Sequence, residues 1–156
     1  MDENVGDWES EHKGLEKRFR SCIIIKPDAT TKGKIGRIIS RYEELGVEFK
    51  VIRTMYMTRE VIEKQYIKYI HQPFFLNLVS HLITGPSILA IVEGHQIFYR
   101  IRKLHGYYNP DRGSPGEIRF DLGHGIHVGT LVHCSEDEGS YGRELQILFP
   151  DLIHGF

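Results

Sequence analysis

The order of segments along the chain predicts an α+β fold of the ferredoxin-like, split βαβ kind: a four-stranded antiparallel sheet with helices packed on one face. Three observations carry this. Four short apolar runs of strand length alternate with segments whose apolar residues recur at three- and four-residue intervals. The run 87–93, with Ile88, Leu89, Ala90, Ile91 and Val92, is apolar almost without a break, as in a strand covered on both sides. Length and composition (156 residues, 40% hydrophobic, 26% charged) suit one globular domain with a real core.

The elements follow in order. Residues 1–18 are polar and charged, with the single Trp8, and read as a flexible arm, a docked Trp8 being the alternative; residues 19–156 form one domain. Cys22-Ile23-Ile24-Ile25 is a β-branched run closed by Lys26-Pro27-Asp28, where Pro27 lacks the N–H that strand pairing needs. Ile35, Ile38, Ile39, Tyr42 and Leu45 make one helix face, and Gly46 is placed to end that helix in a left-handed cap. Residues 47–56 alternate loosely as a strand through Val47, Phe49 and Val51. Thr58 caps a second helix with Val61, Ile62, Tyr66 and Tyr69 inward. Pro73-Phe74-Phe75 opens a short segment, 76–82, stopped by Gly85-Pro86. After the 87–93 strand, 97–104 reads as a helix. Residues 106–129 are rich in Gly and Pro without a period, and a loop this long in a compact domain is functional. A last strand, 129–134, and a last helix, 141–149, complete the chain.

Charge narrows the function. With 20 basic against 21 acidic residues there is no global electrostatic case for nucleic acid or a membrane surface. No apolar stretch reaches membrane-spanning length, and Met1-Asp2-Glu3-Asn4 is acidic, unlike a signal peptide. Cys22 and Cys134 lie in apolar runs without metal-like spacing, which points to reduced thiols in a cytoplasmic protein.

Four clusters can carry chemistry. The first is His133, which ends an apolar run and is followed by Ser135 and, at a helical position, Glu144. A nucleophilic histidine needs one free ring nitrogen and a partner that fixes the tautomer at the other. Lys26 puts an ammonium at a strand end, which is otherwise a place for a solvated lysine. Phe74 and Phe75 are adjacent aromatics of which only one can easily point inward; the other offers a slab for a flat ring. Arg102 and Arg119 flank the long loop, and guanidinium forks suit phosphate, although isolated arginines are commonly solvated. A zinc reading of His124, His127, His133 and Cys134 is weaker, because the spacing fits no common zinc pattern and strand alternation turns His133 and Cys134 to opposite faces. Neither a GxGxxG nor a Walker-type loop is present, so side chains would have to hold any phosphate.

Taken in order, Ile25-Lys26-Pro27-Asp28, Tyr66 with Pro73-Phe74-Phe75, Gly85-Pro86, Asn109-Pro110, Ser114-Pro115-Gly116-Glu117-Ile118-Arg119-Phe120-Asp121 and Val132-His133-Cys134-Ser135 resemble nucleoside diphosphate kinase over residues 20–150. The resemblance implies a ferredoxin-like fold and ping-pong transfer of a γ-phosphoryl group from a nucleoside triphosphate to a diphosphate. It implies Mg2+ held mainly through the substrate phosphates. His133 resembles the phosphorylated nucleophile, Glu144 the carboxylate that orients it and Ser135 the hydroxyl beside that carboxylate. Lys26, Arg102, Arg119 and Tyr66 resemble the phosphate-side and catalytic contacts, and Phe74 the ring under the base with Leu78 beside it. The resemblance further implies a homo-oligomer of edge-paired dimers joined through the long loop, a hexamer being expected and a tetramer or dimer the alternative, and the 47–56 strand is an edge that such pairing would cover. The chain departs from the family at Thr130-Leu131-Val132-His133, where the family has Asn-Ile-Ile-His, at Tyr108 in place of threonine, and at Cys134 and Glu136 in place of glycine and aspartate. One residue is missing between Asp121 and His133. Tyr108 and Thr130 motivate an alternative, a nucleotide-binding protein with little turnover. An RNA-binding module would need aromatics on the central strands, and 88–92 has none.

Overall fold

The computed structural model describes residues 16–125 and 130–155. Its centre is β1 (Arg18–Ile25), in whose second half Ile23 and Ile25 enter one apolar layer and Cys22 and Ile24 the other, because both sets of alternate residues are hydrophobic there. β1 pairs antiparallel with β3 (Ser87–His95), from Arg18 opposite His95 to Ile25 opposite Ile88. On its other side it pairs with β4 (Val132–Cys134), which sets Ile24 opposite His133. β2 (Glu48–Met55) adds to the outside of β3 with a bulge between Phe49 and Val51, giving the order β2-β3-β1-β4. This all-antiparallel order is that of the ferredoxin-like fold.

Seven helices attach to the sheet among the described residues. A short α1 (Pro27–Thr30) follows β1, and α2 (Ile35–Glu44) ends at Gly46, whose φ of +78° is the left-handed stop expected of it. Next come α3 (Arg59–Gln65), capped by Thr58 Oγ1 accepting from the Val61 N–H at 3.3 Å, and α4 (Phe75–Leu82). α5 (Ile97–His105), α6 (Ile118–Leu122) and α7 (Glu138–Leu148) complete the set. Ile38, Tyr42, Ile97 and Ile101, from α2 and α5, pack on Ile23, Ile25, Ala90 and Val92. Ile62, Leu82, Leu145 and Leu148, from α3, α4 and α7, pack on Cys22, Ile24, Leu89 and Ile91. Helices therefore cover both faces, which corrects the expectation of one covered face. The reason lies in β1 and β3, where neither face is polar enough to meet water.

Four boundaries differ from the sequence reading. β1 begins at Arg18, ahead of the apolar run, because Arg18 and Arg20 bond Glu93 on β3 at 3.1 and 2.9 Å. The first part of the expected arm, 1–15 with Trp8, lies outside the described residues. The stretch 106–129 is not one loop: it holds a 3-10 turn, Pro110–Arg112, and α6, too short to show a period, with Ile118 and Leu122 buried one turn apart. The last strand keeps only Val132–Cys134, since Thr130 and Leu131 have φ of +48° and +66°. The last helix starts earlier than 141, where Asp137 Oδ1 caps the Ser140 N–H at 2.7 Å; Gly139 and Gly142 had masked its first turns. No helix of the described residues is long and apolar enough to cross a membrane.

Under the α2–α5 layer, Tyr42 Oη and His105 Nε2 lie 2.6 Å apart, at 0% and 2% exposure. Burial, followed by the charges of Arg119, His133 and Lys26, holds the imidazole well below its usual pKa, so it is neutral. Tyr42→Phe strands a buried ring nitrogen and should lower the unfolding free energy by about 1–3 kcal/mol in urea titrations. A change within error would mean that the imidazole finds another partner.

Candidate active site

A cleft of about 780 Å³ opens where β4, the C-terminal ends of β1 and α5, the α3–α4 connection and α7 meet. Strand alternation decides what faces it. Val132 and Cys134 point into the α2–α5 layer, so His133 points the other way, toward α3 and α7. Its Nε2 lies 2.6 Å from Glu144 Oε1, and Glu144 is 1% exposed. Ser135 Oγ donates to Glu144 Oε2 at 2.6 Å and accepts from the Cys22 N–H at 2.9 Å, which ties the carboxylate to β1. Gln65 Nε2 donates to Glu144 Oε1 at 2.9 Å. Burial pushes the Glu144 pKa up, but the bonds from His133, Ser135 and Gln65 outweigh it and hold the group below its usual value. An ionised carboxylate at Nε2 requires the ring proton there and leaves Nδ1 with its lone pair.

Around the imidazole stand Tyr66 and Lys26. The Tyr66 ring meets His133 edge-on, centroids 5.8 Å apart, and its buried hydroxyl has no hydrogen-bond partner among the described residues. Lys26 is 6% exposed, with Nζ 5.7 Å from the Tyr66 ring centroid. Burial, with the charge of Arg119 added and that of Asp28 opposing, brings the Lys26 pKa down to about 8. Such a group responds strongly to any anion brought beside it.

The segment before His133 is held from two sides. Asp28 Oδ2 accepts from the Leu131 N–H at 2.9 Å, and the Lys26 N–H donates to the Leu131 carbonyl at 2.7 Å. Arg119 donates through Nε to Thr130 O at 3.1 Å, through Nη1 to Gly106 O at 2.8 Å and through Nη2 to Val132 O at 2.8 Å. Left-handed backbone is costly for threonine and leucine, and these bonds offset that cost. Arg119 thus lines the cleft while spending three donors on carbonyls. The guanidinium of Arg102, exposed on α5, makes no hydrogen bond or ion pair among the described residues.

At the outer end, Phe75 is 3% exposed in the core and Phe74 48% exposed, backed by Tyr69 at 5.5 Å between centroids. One ring inward and one outward is the split expected of the pair. Leu78 lies beside Phe74 on the wall, and Tyr107 and Tyr108 present exposed rings to the same cleft. The structure therefore brings His133, Glu144, Lys26, Tyr66, Phe74, Leu78, Arg102 and Arg119 to one cleft, with Ser135 fully buried behind it. Three contributors escaped the sequence reading: Gln65, Arg143, whose Nη2 is 3.8 Å from Glu144 Oε1, and the Lys68–Glu136 ion pair at 3.0 Å. For Gln65 a signal existed, an amide one turn after Ile62 on the inner face of α3. His124 lies 3.7 Å from Asp111, His127 is outside the described residues, and Cys134 is turned away from His133. Among the described residues no group of three or more His, Cys, Asp or Glu could hold a metal.

The family model for nucleoside diphosphate kinase matches residues 19–153. A nucleoside diphosphate kinase of Heliobacterium modesticaldum is 37% identical over 131 residues, covering 83% of this chain and 87% of that protein. One from Pyrococcus abyssi is 34% identical, covering 86% of each. Among solved structures, the apo enzyme of Encephalitozoon cuniculi superposes with a TM-score of 0.79 at 32% identity, covering 86% of this chain and 90% of that one. A halophilic nucleoside diphosphate kinase from Halobacterium salinarum in complex with CDP gives 0.77 at 32% identity, covering 85% and 88%. These matches define a phosphotransferase of ferredoxin-like fold. The chain belongs to the nucleoside diphosphate kinase family.

Lys26 gives a test of the site's electrostatics. Its folded pKa near 8 lies below the ordinary 10.5, so between these values the unfolded chain binds more protons and stability rises with pH. Relative to Lys26→Met, the wild-type protein should gain stability by on the order of a few kcal/mol across that window in denaturant titrations. A constant difference would mean that the ammonium is better solvated than its burial implies.

Proposed function

We propose that the protein is an active nucleoside diphosphate kinase that works by a ping-pong mechanism through a phosphohistidine on His133. The observation that carries this is the Glu144 carboxylate on His133 Nε2, which leaves Nδ1 as the nucleophile in the cleft. Nδ1 attacks the γ-phosphorus of a nucleoside triphosphate, the bond to the β,γ-bridging oxygen breaks, and the diphosphate leaves with the electron pair. A terminal oxygen of a second diphosphate then attacks the same phosphorus and returns His133 to its neutral state. Glu144 stabilises the imidazolium character that develops as Nδ1 is phosphorylated, and Ser135 keeps Glu144 in place. Lys26 and Arg102 offer positive charge to the transferring oxygens, Arg119 adds charge and holds the backbone, and Tyr66 has a hydroxyl to donate. Phe74 with Leu78 forms a stacking surface for the base that carries no hydrogen-bond code.

A divalent cation, Mg2+ in this reading, neutralises phosphate charge when bound. In this reading it is held mainly through the phosphates of the nucleotide. Assembly as a hexamer belongs to the same proposal. Its dimer unit is supported by β2, an outer strand carrying Ile52 at 51% exposure and followed by Tyr56 at 71%, a surface that symmetric edge pairing would cover. A cytoplasmic location is supported by two free, buried thiols. One domain from β1 onward, with the residues before Arg18 as an arm, belongs to the same proposal. Nucleotide binding with little turnover is the second reading, favoured by the exposed Tyr108 ring in the cleft and the left-handed Thr130.

Incubation with γ-labelled ATP should give an acid-labile, alkali-stable phosphoprotein, and His133→Ala should abolish it while nucleotide binding survives. Label retained in that variant would place the chemistry elsewhere, and binding without label in the wild type would favour the second reading.

The two arginines should separate. Arg102→Ala should slow transfer by roughly tenfold to a thousandfold with stability unchanged. Arg119→Ala should slow it comparably and also cost roughly 2 kcal/mol or more of stability, since three carbonyls lose their donor. Equal stability of the two variants would contradict the clamp.

A further inference from the structure

We propose that Gln65 is a positioning residue for the transfer: its side-chain amide fixes Glu144 and, through it, the imidazole of His133. This rests on His133 being the nucleophile. Gln65 ends α3 at 3% exposure, with Nε2 2.9 Å from Glu144 Oε1 and 3.2 Å from His133 Nε2. A proton must lie on the 2.6 Å line between His133 Nε2 and Glu144 Oε1, because two bare acceptors would repel at that distance. A ring nitrogen that donates cannot also accept, so the amide hydrogen of Gln65 goes to Glu144. Turning the amide end for end would set its carbonyl oxygen against the same carboxylate oxygen. The orientation is therefore fixed by chemistry.

Glu144 Oε1 consequently takes donors from His133 and Gln65, and Oε2 takes the Ser135 hydroxyl. Held at both oxygens, the carboxylate cannot swing away from the ring. The shared oxygen is also a weaker base, so the proton stays on Nε2 and the lone pair on Nδ1. One further fact argues that Gln65 does more than fill space. Its Oε1 is buried without a hydrogen-bond partner among the described residues, a cost that an apolar side chain of similar size would avoid.

Gln65→Glu tests this at nearly constant volume. Two carboxyls at that separation share one proton up to a raised apparent pKa, and the shared proton can stand in for the amide donor. Above that point both are charged and the donor is lost. The groups around the pair are His133 from β4, Cys22 and Lys26 from β1 and its end, Tyr66 after α3 and Arg143 from α7, with Cys134 on the opposite face of β4 but within electrostatic reach of Glu144. Burial keeps the thiols and the Tyr66 hydroxyl protonated. Lys26 titrates in both proteins, and the added carboxylate can only raise its pKa, so a steeper alkaline fall in the variant is not its doing.

The readout is the single-turnover rate of labelling by γ-labelled ATP across pH. Gln65→Glu should match the wild type at acidic pH and fall roughly tenfold or more below it on the alkaline side, with nucleotide affinity unchanged. Parallel profiles would overturn the proposal. Gln65→Met, which lacks the donor, covers the case in which the carboxyl variant fails to fold. Its rate should be roughly tenfold to a hundredfold lower at every pH with KM unchanged, and a wild-type rate would overturn the proposal too. Absence of label in the wild type would sink the phosphohistidine reading and this inference together, whereas label with parallel profiles sinks the inference alone.

Discussion

A single buried carboxylate joins the parts of this molecule that meet at the cleft. Glu144, 1% exposed on α7, takes hydrogen bonds from His133 on β4, from Ser135 just after it and from Gln65 on α3. Ser135 in turn accepts from the backbone of β1. A buried charge is tolerable only when nearly all its lone pairs are used, and here the three donors come from two parts of the chain, the β4 segment and α3. The geometry around His133 and the packing of α7 on the sheet are therefore one interaction seen from two sides. Removing any donor loosens the imidazole and leaves part of a charge unanswered.

The approach to β4 shows the complementary constraint. Thr130 and Leu131 take a left-handed backbone that their side chains disfavour, and the chain keeps it with bonds from Asp28, Lys26 and Arg119. That arrangement turns His133 away from the α2–α5 layer at the mouth of the cleft. It also explains how one arginine can belong both to the cleft and to the frame. Asparagine, the family's residue at position 130, suits left-handed backbone better than threonine, so the departure there concerns backbone cost as much as contact with a ligand.

Two groups in the cleft are poorly compensated: the Tyr66 hydroxyl and the Gln65 carbonyl lack partners among the described residues, close to Lys26, whose burial lowers its pKa. Each would be improved by an apolar substitution if stability alone mattered. Their concentration beside one histidine is the pattern expected where stability is given up for binding and chemistry.

Local chemistry was legible in the sequence. The period of Ile35, Ile38, Ile39 and Tyr42, the caps at Gly46 and Thr58, the continuous apolar β3 and the split fate of Phe74 and Phe75 all follow from side-chain spacing and volume. The order of His133, Ser135 and Glu144 suggested a strand, a turn and a helix carrying a carboxylate, and their partnership came from the family resemblance. What the sequence could not decide were interactions between residues far apart in the chain. Arg119 clamping Gly106, Thr130 and Val132, Gln65 reaching Glu144, and Arg18 and Arg20 extending β1 by bonding Glu93 each depend on how separate elements are set against one another. Short elements escaped for a related reason: α6 and the first turns of α7, with Gly139 and Gly142, have too little period or propensity of their own and form because the surrounding core and Asp137 hold them. Periodicity belongs to a segment, whereas a buried charge and its donors belong to the assembled fold.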